Sequence, residues 1–269
     1  MINSFTLFGL TLYPYTLFMI SGIAVCLGLY SFLTVRRHRE DSEGNLFAIE
    51  MLIVSAAAAL PSAILFDALF KIAEKGKFEL EGATFYGGLL GALALFPILL
   101  SLKKGRKVKI YSRLCDLAPC IPAGHFFGRI GCFFGGCCYG VPTDGPFGVV
   151  FPEGSYAYKA YGNVAVHPTQ LYEAAYLLVL FIFLITMGKK SAFPLYLMLY
   201  GVGRYAIECF RGDDRGGLGL PISPAQAVSL ILFILGGVLL VWHAVNKSGI
   251  RKKPPVQSAD KTVKSFYLE

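Results

Sequence analysis

The amino-acid sequence predicts an all-α polytopic membrane protein with seven transmembrane helices, its N-terminus outside the cytoplasm and its C-terminus inside. The composition, the length of the apolar runs and the charge of the loops between them predict this class. Of the 269 residues, 55% are hydrophobic and 16% are charged, whereas soluble domains carry about 25% charged residues. A soluble fold would need more polar surface than this chain can supply.

Seven apolar runs are long enough to cross a bilayer, which takes about 20 residues of helix. Each run is expected to be helical, because lipid offers the backbone no hydrogen-bond partners. The runs cover residues 12–35, 47–70, 84–102, 114–134, 168–187, 192–210 and 222–245.

The loops between the runs predict the orientation. Those that follow spans one, three, five and seven are basic ("RRHRE", "KKGRKVKIYSR", "GKK" and "NKSGIRKK"), whereas the loop after span two, "KIAEKGKFELEG", balances three lysines with three glutamates. Basic loops stay in the cytoplasm. The net charge of +8 therefore reflects membrane topology, and we expect no nucleic-acid partner.

One transmembrane domain, residues 1–250, accounts for most of the chain. Within it, residues 132–167 are rich in Gly, Pro and Tyr and are expected to form a small extracytoplasmic cap between spans four and five. Residues 251–269 are expected to form a polar cytoplasmic tail. No basic region precedes the first apolar run, so we expect this span to be retained rather than cleaved as a signal peptide.

An arginine inside span four is the first candidate for function. Arg129 stands in the stretch "GRIGCFFGGCCYG", residues 128–140, and a charge at the centre of a bilayer costs about 2.5–3.5 kcal/mol. Asp116 opens this span and His125 lies between the two. The prolines and glycines of the span predict a kinked or broken helix, whose exposed N–H groups can hold anions.

A second arginine lies in span six, where Arg204, Glu208 and Arg211 are spaced i, i+4, i+7 and share one helical face. For Arg211 we favour a bracing role within this network. For Arg204 we favour ligand binding, because Glu208 need not satisfy all five of its donors. Two arginines near the outer face, on separate spans, match the geometry of a phosphate group, and the membrane supplies phospholipids.

Span five opens with "HPTQLYEAAY". Gln170 and Glu173 lie three residues apart and are expected on one inward face. His167 precedes the helix. Both a packing role, as an N-terminal cap and an interhelical pin, and a role in a site remain open for these residues.

Four motifs, in order and at the right approximate spacing, resemble the prolipoprotein diacylglyceryl transferase family: "YGGLLG", "GRIGCFFGGCCYG", "HPTQLYEA" and "GRYAIECFR". The resemblance covers nearly the whole chain. It implies a multi-pass enzyme of the bacterial cytoplasmic (inner) membrane. Such an enzyme moves the diacylglyceryl group of phosphatidylglycerol to the lipobox cysteine of a prolipoprotein and releases glycerol 1-phosphate. We expect a monomer that needs neither a metal nor a cofactor, since the phospholipid is already activated.

The resemblance also implies roles for individual residues. The catalytic candidates are Arg129, Arg204, Tyr86, His167 and Glu208. The substrate-binding candidates are Gly140, Asp116, Tyr200, Gln170, Glu173, Gly87 and Gly88.

Three positions depart from the family pattern: Tyr86 stands where the family usually has the His proposed as its base, Cys132 where it has Asn, and Cys137 where it has Glu. A tyrosine, with a reference pKa of about 10, is a poor base at neutral pH. Two alternatives therefore stay open: a paralogous phospholipid-dependent transferase with a different acceptor, and a membrane protein that binds lipid without chemistry.

The cysteines Cys132, Cys137 and Cys138 allow several interpretations. We predict a disulfide from Cys132 to Cys137 or Cys138, because the outer face is oxidising in many bacteria. A reactive thiol and an inert buried thiol are the alternatives. The spacing C-x4-C-C is not a standard zinc signature, so we expect no metal.

Overall fold

The computed structural model describes residues 5–7, 10–76, 78, 80, 85–102, 109–187, 191–213 and 222–251, with side chains omitted at 5–12, 70, 73–75, 85–86 and 246–251. The described part is mostly helical. Its helices are α1 (Pro14–Arg37), α2 (Ser42–Ala57), α3 (Ala59–Lys75), α4 (Phe85–Ser101), α5 (Ile110–Leu117), α6 (Cys120–Gly135), α7 (Tyr156–Tyr161), α8 (Thr169–Thr186), α9 (Ala192–Glu208) and α10 (Pro224–Arg251). Its strands form two antiparallel pairs, β1 (Phe5–Leu7) with β2 (Leu10–Leu12) and β3 (Val149–Val150) with β4 (Ala165–Val166).

Helices follow the seven apolar runs, but they differ in length. Four stretches are long and apolar enough to cross a membrane: Pro14–Arg37, Ser42–Leu69, Thr169–Thr186 and Pro224–Val245. They correspond to the predicted spans one, two, five and seven. Spans three and six correspond to α4 and α9, each of 17 residues, and the count of seven stays a prediction. The polar tail from residue 251 lies beyond the described residues, except for Arg251.

Two predicted spans are each divided into two helices. Span four breaks between α5 and α6, as its prolines predict, because Pro119 has no N–H with which to continue the hydrogen-bond ladder. Span two is one apolar helical stretch long enough to cross a membrane, Ser42–Leu69, as predicted, but it contains a local irregularity that the sequence did not predict. It divides at Ala58 into α2 and α3. Pro61, in the first turn of α3, cannot donate to the carbonyl of Ala57.

Helix α6 is packed closely against α1 through glycine. A Cβ atom on Gly22 would lie 2.5 Å from the carbonyl oxygen of Gly124, and one on Gly124 would lie 2.6 Å from the oxygen of Gly22. Small residues allow the backbones of membrane helices to approach in this way. Helix α6, which carries Arg129, also packs against α8.

The predicted cap folds around a small core of its own, formed by Tyr139, Phe151, Ala157 and Val166. Backbone hydrogen bonds join this cap to two helix ends. The N–H of Gly140 donates to the carbonyl of His167 at 2.8 Å, and the N–H of Val141 donates to that of Phe210 at 2.9 Å. The chain segment that follows α6 is therefore fixed to the start of α8 and to the end of α9.

Gly22→Ala should destabilise the protein by about 1–3 kcal/mol, because the new methyl group meets a backbone carbonyl that cannot easily move. The matched control is Gly28→Ala on the same helix, where a Cβ would meet nothing within 4 Å. The midpoint of thermal unfolding of the detergent-solubilised protein measures the effect. Equal midpoints for the two variants would show that the Gly22–Gly124 contact does not set the spacing of α1 and α6.

Candidate functional site

A buried carboxylate joins two arginines at the centre of the helix bundle. Oε1 of Glu173, on α8, lies 2.9 Å from Nη2 of Arg129, on α6, and its Oε2 lies 3.8 Å from Nη1 of Arg204, on α9. Arg129 is 5% exposed, and Glu173 and Arg204 are each 1% exposed. Three helices thus bring their buried charges to one point.

The sequence placed Glu173 among the substrate-binding candidates, with a role as an interhelical pin left open. In the structure it is the partner that both arginines share. Two guanidinium groups so close together would repel each other without it, and an unpaired buried charge is strongly destabilising. Glu173 is therefore a positioning residue for Arg129 and Arg204.

The network extends one helical turn along α9 and past its end. Arg204 pairs with Glu208 at 2.5 Å, and Glu208 also accepts a hydrogen bond from the hydroxyl of Ser223 at 3.1 Å. Arg211 lies 3.9 Å from Glu208 and 2.8 Å from Asp213. Since α9 ends at Glu208, Arg211 is held by these carboxylates rather than by the helix, which agrees with the bracing role expected for it.

A histidine that sequence reasoning left off the candidate list lies against the first arginine. The Nε–H of Arg129 donates to Nε2 of His125 at 3.1 Å, so this nitrogen acts as an acceptor and the imidazole is neutral, with its proton on Nδ1. The ring of His125 lies 5.9 Å from that of Tyr200, which stacks on Tyr196. The i, i+4 spacing of His125 and Arg129 on α6 was the signal in the sequence.

The three cysteines after Arg129 come together at the turn that ends α6. The Sγ atoms of Cys132, Cys137 and Cys138 all lie within 4.8 Å of one another. All seven cysteines are free thiols in this structure, and the disulfide from Cys132 to Cys137 or Cys138 stays a prediction. Cys138 has a left-handed backbone with φ of 64°, which costs a residue with a side chain about 1–2 kcal/mol.

The thiols at this turn differ in acidity. The pKa of Cys138 lies well below its ordinary value, because its sulfur accepts hydrogen bonds from Cys132 and Cys137 and because Arg129 and Arg211 add positive charge, against an opposing effect of burial. The pKa of Cys137 is raised by its interactions with the thiols of Cys132 and Cys138 and by burial.

The first turn of α8 binds the backbone of the turn that carries Cys132, Cys137 and Cys138, which we call the thiol turn. The amide nitrogen Nε2 of Gln170 donates to the carbonyl of Cys137 at 2.6 Å, and the hydroxyl of Thr169 donates to that of Cys138, also at 2.6 Å. Gln170, like Glu173, is fully enclosed by the protein, as expected for one inward face. The start of α8 thus holds the turn that carries the three thiols and also supplies Glu173, the carboxylate shared by Arg129 and Arg204.

Gly140 and His167 lie at the junction of the cap with the bundle. A Cβ atom on Gly140 would be 2.6 Å from both Cβ of His167 and the carbonyl oxygen of Phe210, so only glycine fits. Nδ1 of His167 lies 3.0 Å from the hydroxyl of Tyr172, and its ring packs edge-on against that of Phe210. These contacts place His167 at the junction of the cap with the bundle, and its catalytic role stays a prediction.

Asp116 does not join the other site candidates. Its carboxylate accepts a hydrogen bond from Arg37 at 2.9 Å and lies 2.7 Å from Nε2 of His38. Both partners are at the end of α1. Asp116 lies on α5, and Arg129 lies on α6, beyond the break at Pro119. Asp116 therefore fixes α5 to α1, and its substrate-binding role stays a prediction.

The span-three candidates are only partly described. Gly88 is buried against α3, where a Cβ would lie 3.0 Å from the carbonyl oxygen of Ala59, and Gly87 beside it is buried as well. This contact makes Gly88 a helix-packing residue. Tyr86 is the second residue of α4, and its side chain lies outside the described residues.

Comparisons with known proteins agree with the motifs. The model of the prolipoprotein diacylglyceryl transferase family matches residues 3–242. A phosphatidylglycerol–prolipoprotein diacylglyceryl transferase of Clostridium tetani is 34% identical over 241 residues, which is 86% of this chain and 93% of the relative. A second such protein, from Clostridium perfringens, is 33% identical over 264 residues, 92% of this chain and 96% of the relative.

Glu173→Ala should lower the free energy of unfolding by about 3–5 kcal/mol, because it leaves two buried guanidinium groups together without their shared carboxylate. Glu153→Ala, in an exposed turn of the cap, is the control and should leave stability unchanged. Thermal unfolding of the purified variants in detergent tests this. A Glu173→Ala variant as stable as the control would mean that Glu173 does not hold the two arginines together.

Proposed function

The chain belongs to the prolipoprotein diacylglyceryl transferase family, and from that premise we propose that it transfers the diacylglyceryl group of phosphatidylglycerol to the lipobox cysteine of a prolipoprotein. Relatives that share most of its length bear the name of this activity. The observation that carries the proposal is the meeting of Arg129 and Arg204 at Glu173. Two fixed guanidinium groups in a buried site are suited to a phosphate group.

The reaction explains why two arginines are needed. The acceptor thiolate attacks the glyceryl carbon next to the phosphate ester, an S–C bond forms, and the C–O bond breaks. The electron pair of the C–O bond stays on the phosphate oxygen, so the leaving glycerol phosphate gains one negative charge. Fixed cations that face this oxygen in a site shielded from water stabilise the transition state more than the starting ester.

The donor phosphate is proposed to lie between Arg129 and Arg204, on the side of the guanidinium groups away from Glu173. Glu208 holds Arg204 from the other end of the network. Tyr200, one turn before Arg204 on α9 and buried beside His125, lines the same region. Gly140 contributes by allowing the cap to close against the start of α8.

The proposed orientation has seven spans, with the N-terminus outside, the C-terminus inside and the cap at the outer face of the bacterial cytoplasmic membrane. The basic loops support it. So does the location of Arg37, His38 and Asp116 at the opposite end of span four from the thiol turn. The chain is proposed to act as a monomer.

A second candidate function is transfer from the same donor to a different acceptor. The thiol turn favours it, because Cys132 and Cys137 replace residues that the family usually has near its reacting centre. Expression in a strain depleted of its own transferase separates the two candidates. Growth with lipidated prolipoproteins supports the first, and loss of the donor lipid without prolipoprotein lipidation supports the second.

Arg129→Ala and Arg204→Ala should each reduce transfer by about 100-fold or more, the loss typical when one group that stabilises developing charge is removed. The corresponding Lys variants should recover only part of the activity, because an ammonium group lacks the planar fork of guanidinium. The measurement is transfer from phosphatidylglycerol to a lipobox peptide. Arg36→Ala, an exposed arginine on α1, is the control, and full activity in Arg204→Ala would overturn the proposed donor site.

Tyr86→Phe should reduce transfer if the hydroxyl relays a proton or holds the phosphate, and Tyr86→His should fold and retain or increase transfer, because imidazole is the better base at neutral pH. The same peptide assay, together with thermal unfolding, measures both variants. Unchanged activity in Tyr86→Phe would show that the hydroxyl takes no part in the reaction.

A further inference from the structure

The thiol turn, defined by Cys132, Cys137 and Cys138, brings three sulfur atoms within 4.8 Å of one another. The spacing C-x4-C-C differs from the sequence spacing of familiar zinc sites. The distances between the three sulfur atoms are nevertheless close to those of a zinc site. Neighbouring side chains in a chain ordinarily diverge. The left-handed backbone of Cys138 lets its thiol and that of Cys137 reach the same point as Cys132.

We propose that these three thiols bind one thiophilic divalent cation such as Zn²⁺ and leave its fourth coordination position for the thiol of the acceptor cysteine. The second part rests on the proposed function. Sulfur ligands of a tetrahedral zinc ion, with Zn–S distances of about 2.3 Å, lie about 3.8 Å apart. The sulfurs of the thiol turn therefore need to approach by about 1 Å at most.

The number of ligands is that of a catalytic metal site rather than a structural one. Among the described residues, no further His, Cys, Asp or Glu ligand atom joins the three sulfurs. Structural zinc sites are closed by four protein ligands, whereas catalytic sites have three and keep one position open. Thiolate ligands also select zinc over hard cations such as Mg²⁺.

The backbone of the turn is held in place before any cation binds. Gln170 and Thr169 donate to the carbonyls of Cys137 and Cys138, and the N–H of Ala157 donates to the carbonyl of Gly136 at 3.3 Å. Ligands held by such outer hydrogen bonds lose little freedom on binding. Only the sulfur atoms have to move.

The surrounding charge suits an anionic metal centre. Three thiolates and one dication leave a single net negative charge, and Arg129 lies one turn before Cys132 on the same helix. The site therefore lies next to the guanidinium group that is proposed to face the donor phosphate. This adjacency would bring the acceptor sulfur and the glyceryl carbon together.

The step that such a site performs balances without a protein base. The acceptor S–H ionises on the cation, as a coordinating thiol does, and its proton goes to water. A sulfur lone pair then forms the S–C bond while the electrons of the C–O bond leave with glycerol phosphate.

Co²⁺ alone is the probe. The full chain, purified in detergent with its thiols reduced, is titrated with Co²⁺, and we expect a single tightly bound ion with the thiolate charge-transfer and visible d–d bands of tetrahedral coordination. Cys132→Ser, Cys137→Ser and Cys138→Ser should each weaken binding at least tenfold. Cys209→Ser, which changes a cysteine at the end of α9 outside the turn, should bind as the wild type does. Reduced wild-type protein that binds no Co²⁺ would overturn the site.

A lipobox peptide then tests the fourth position. Its addition to the cobalt-loaded protein should shift the d–d bands, and a peptide with Ser in place of the lipobox cysteine should not. An unchanged spectrum would overturn the coordination of the acceptor. The proposed function fails separately: a cobalt site without transfer to any lipobox peptide refutes that activity but not the site. Efficient transfer by metal-free protein refutes the role of the metal but not the activity.

Discussion

The burial of two arginines beside each other is the constraint on which the rest of the site depends. Arg129 and Arg204 are both buried, and each carries a positive charge. Two buried guanidinium groups next to each other are stable only with a counter-charge. Glu173 supplies that charge from a third helix. Helices α6, α8 and α9 must therefore meet at one depth.

The depth of α6 is fixed at both of its ends. Near its start, Gly124 meets Gly22 with no room for a side chain, and beyond the break at Pro119 the carboxylate of Asp116 is held by Arg37 and His38. The cap holds the other end through backbone hydrogen bonds of Gly140. A helix held in this way keeps a guanidinium group in place without help from the substrate.

The sequence predicted what depends on local pattern. Apolar runs gave the helices, and Pro119 gave the break in span four. The break at Ala58 was missed, because a proline three residues into a helix is normally compatible with it. The sequence left an interhelical role open for Glu173, but spacing identifies a shared face and could not name Arg129 and Arg204 as its partners on other helices. The proximity of the three thiols could not be predicted from the sequence either, because a left-handed φ, as at Cys138, is rare for a residue with a side chain.

The charge balance of the network bears on how it would serve the proposed reaction. Arg129, Arg204 and Arg211 face Glu173, Glu208 and Asp213, so the ground state is close to neutral. A phosphodiester that enters adds one negative charge, and its leaving group adds a second as the C–O bond breaks. In a rigid, balanced network this second charge is the one that the arginines are placed to stabilise. Binding energy is then realised in the transition state rather than in the complex with the donor lipid.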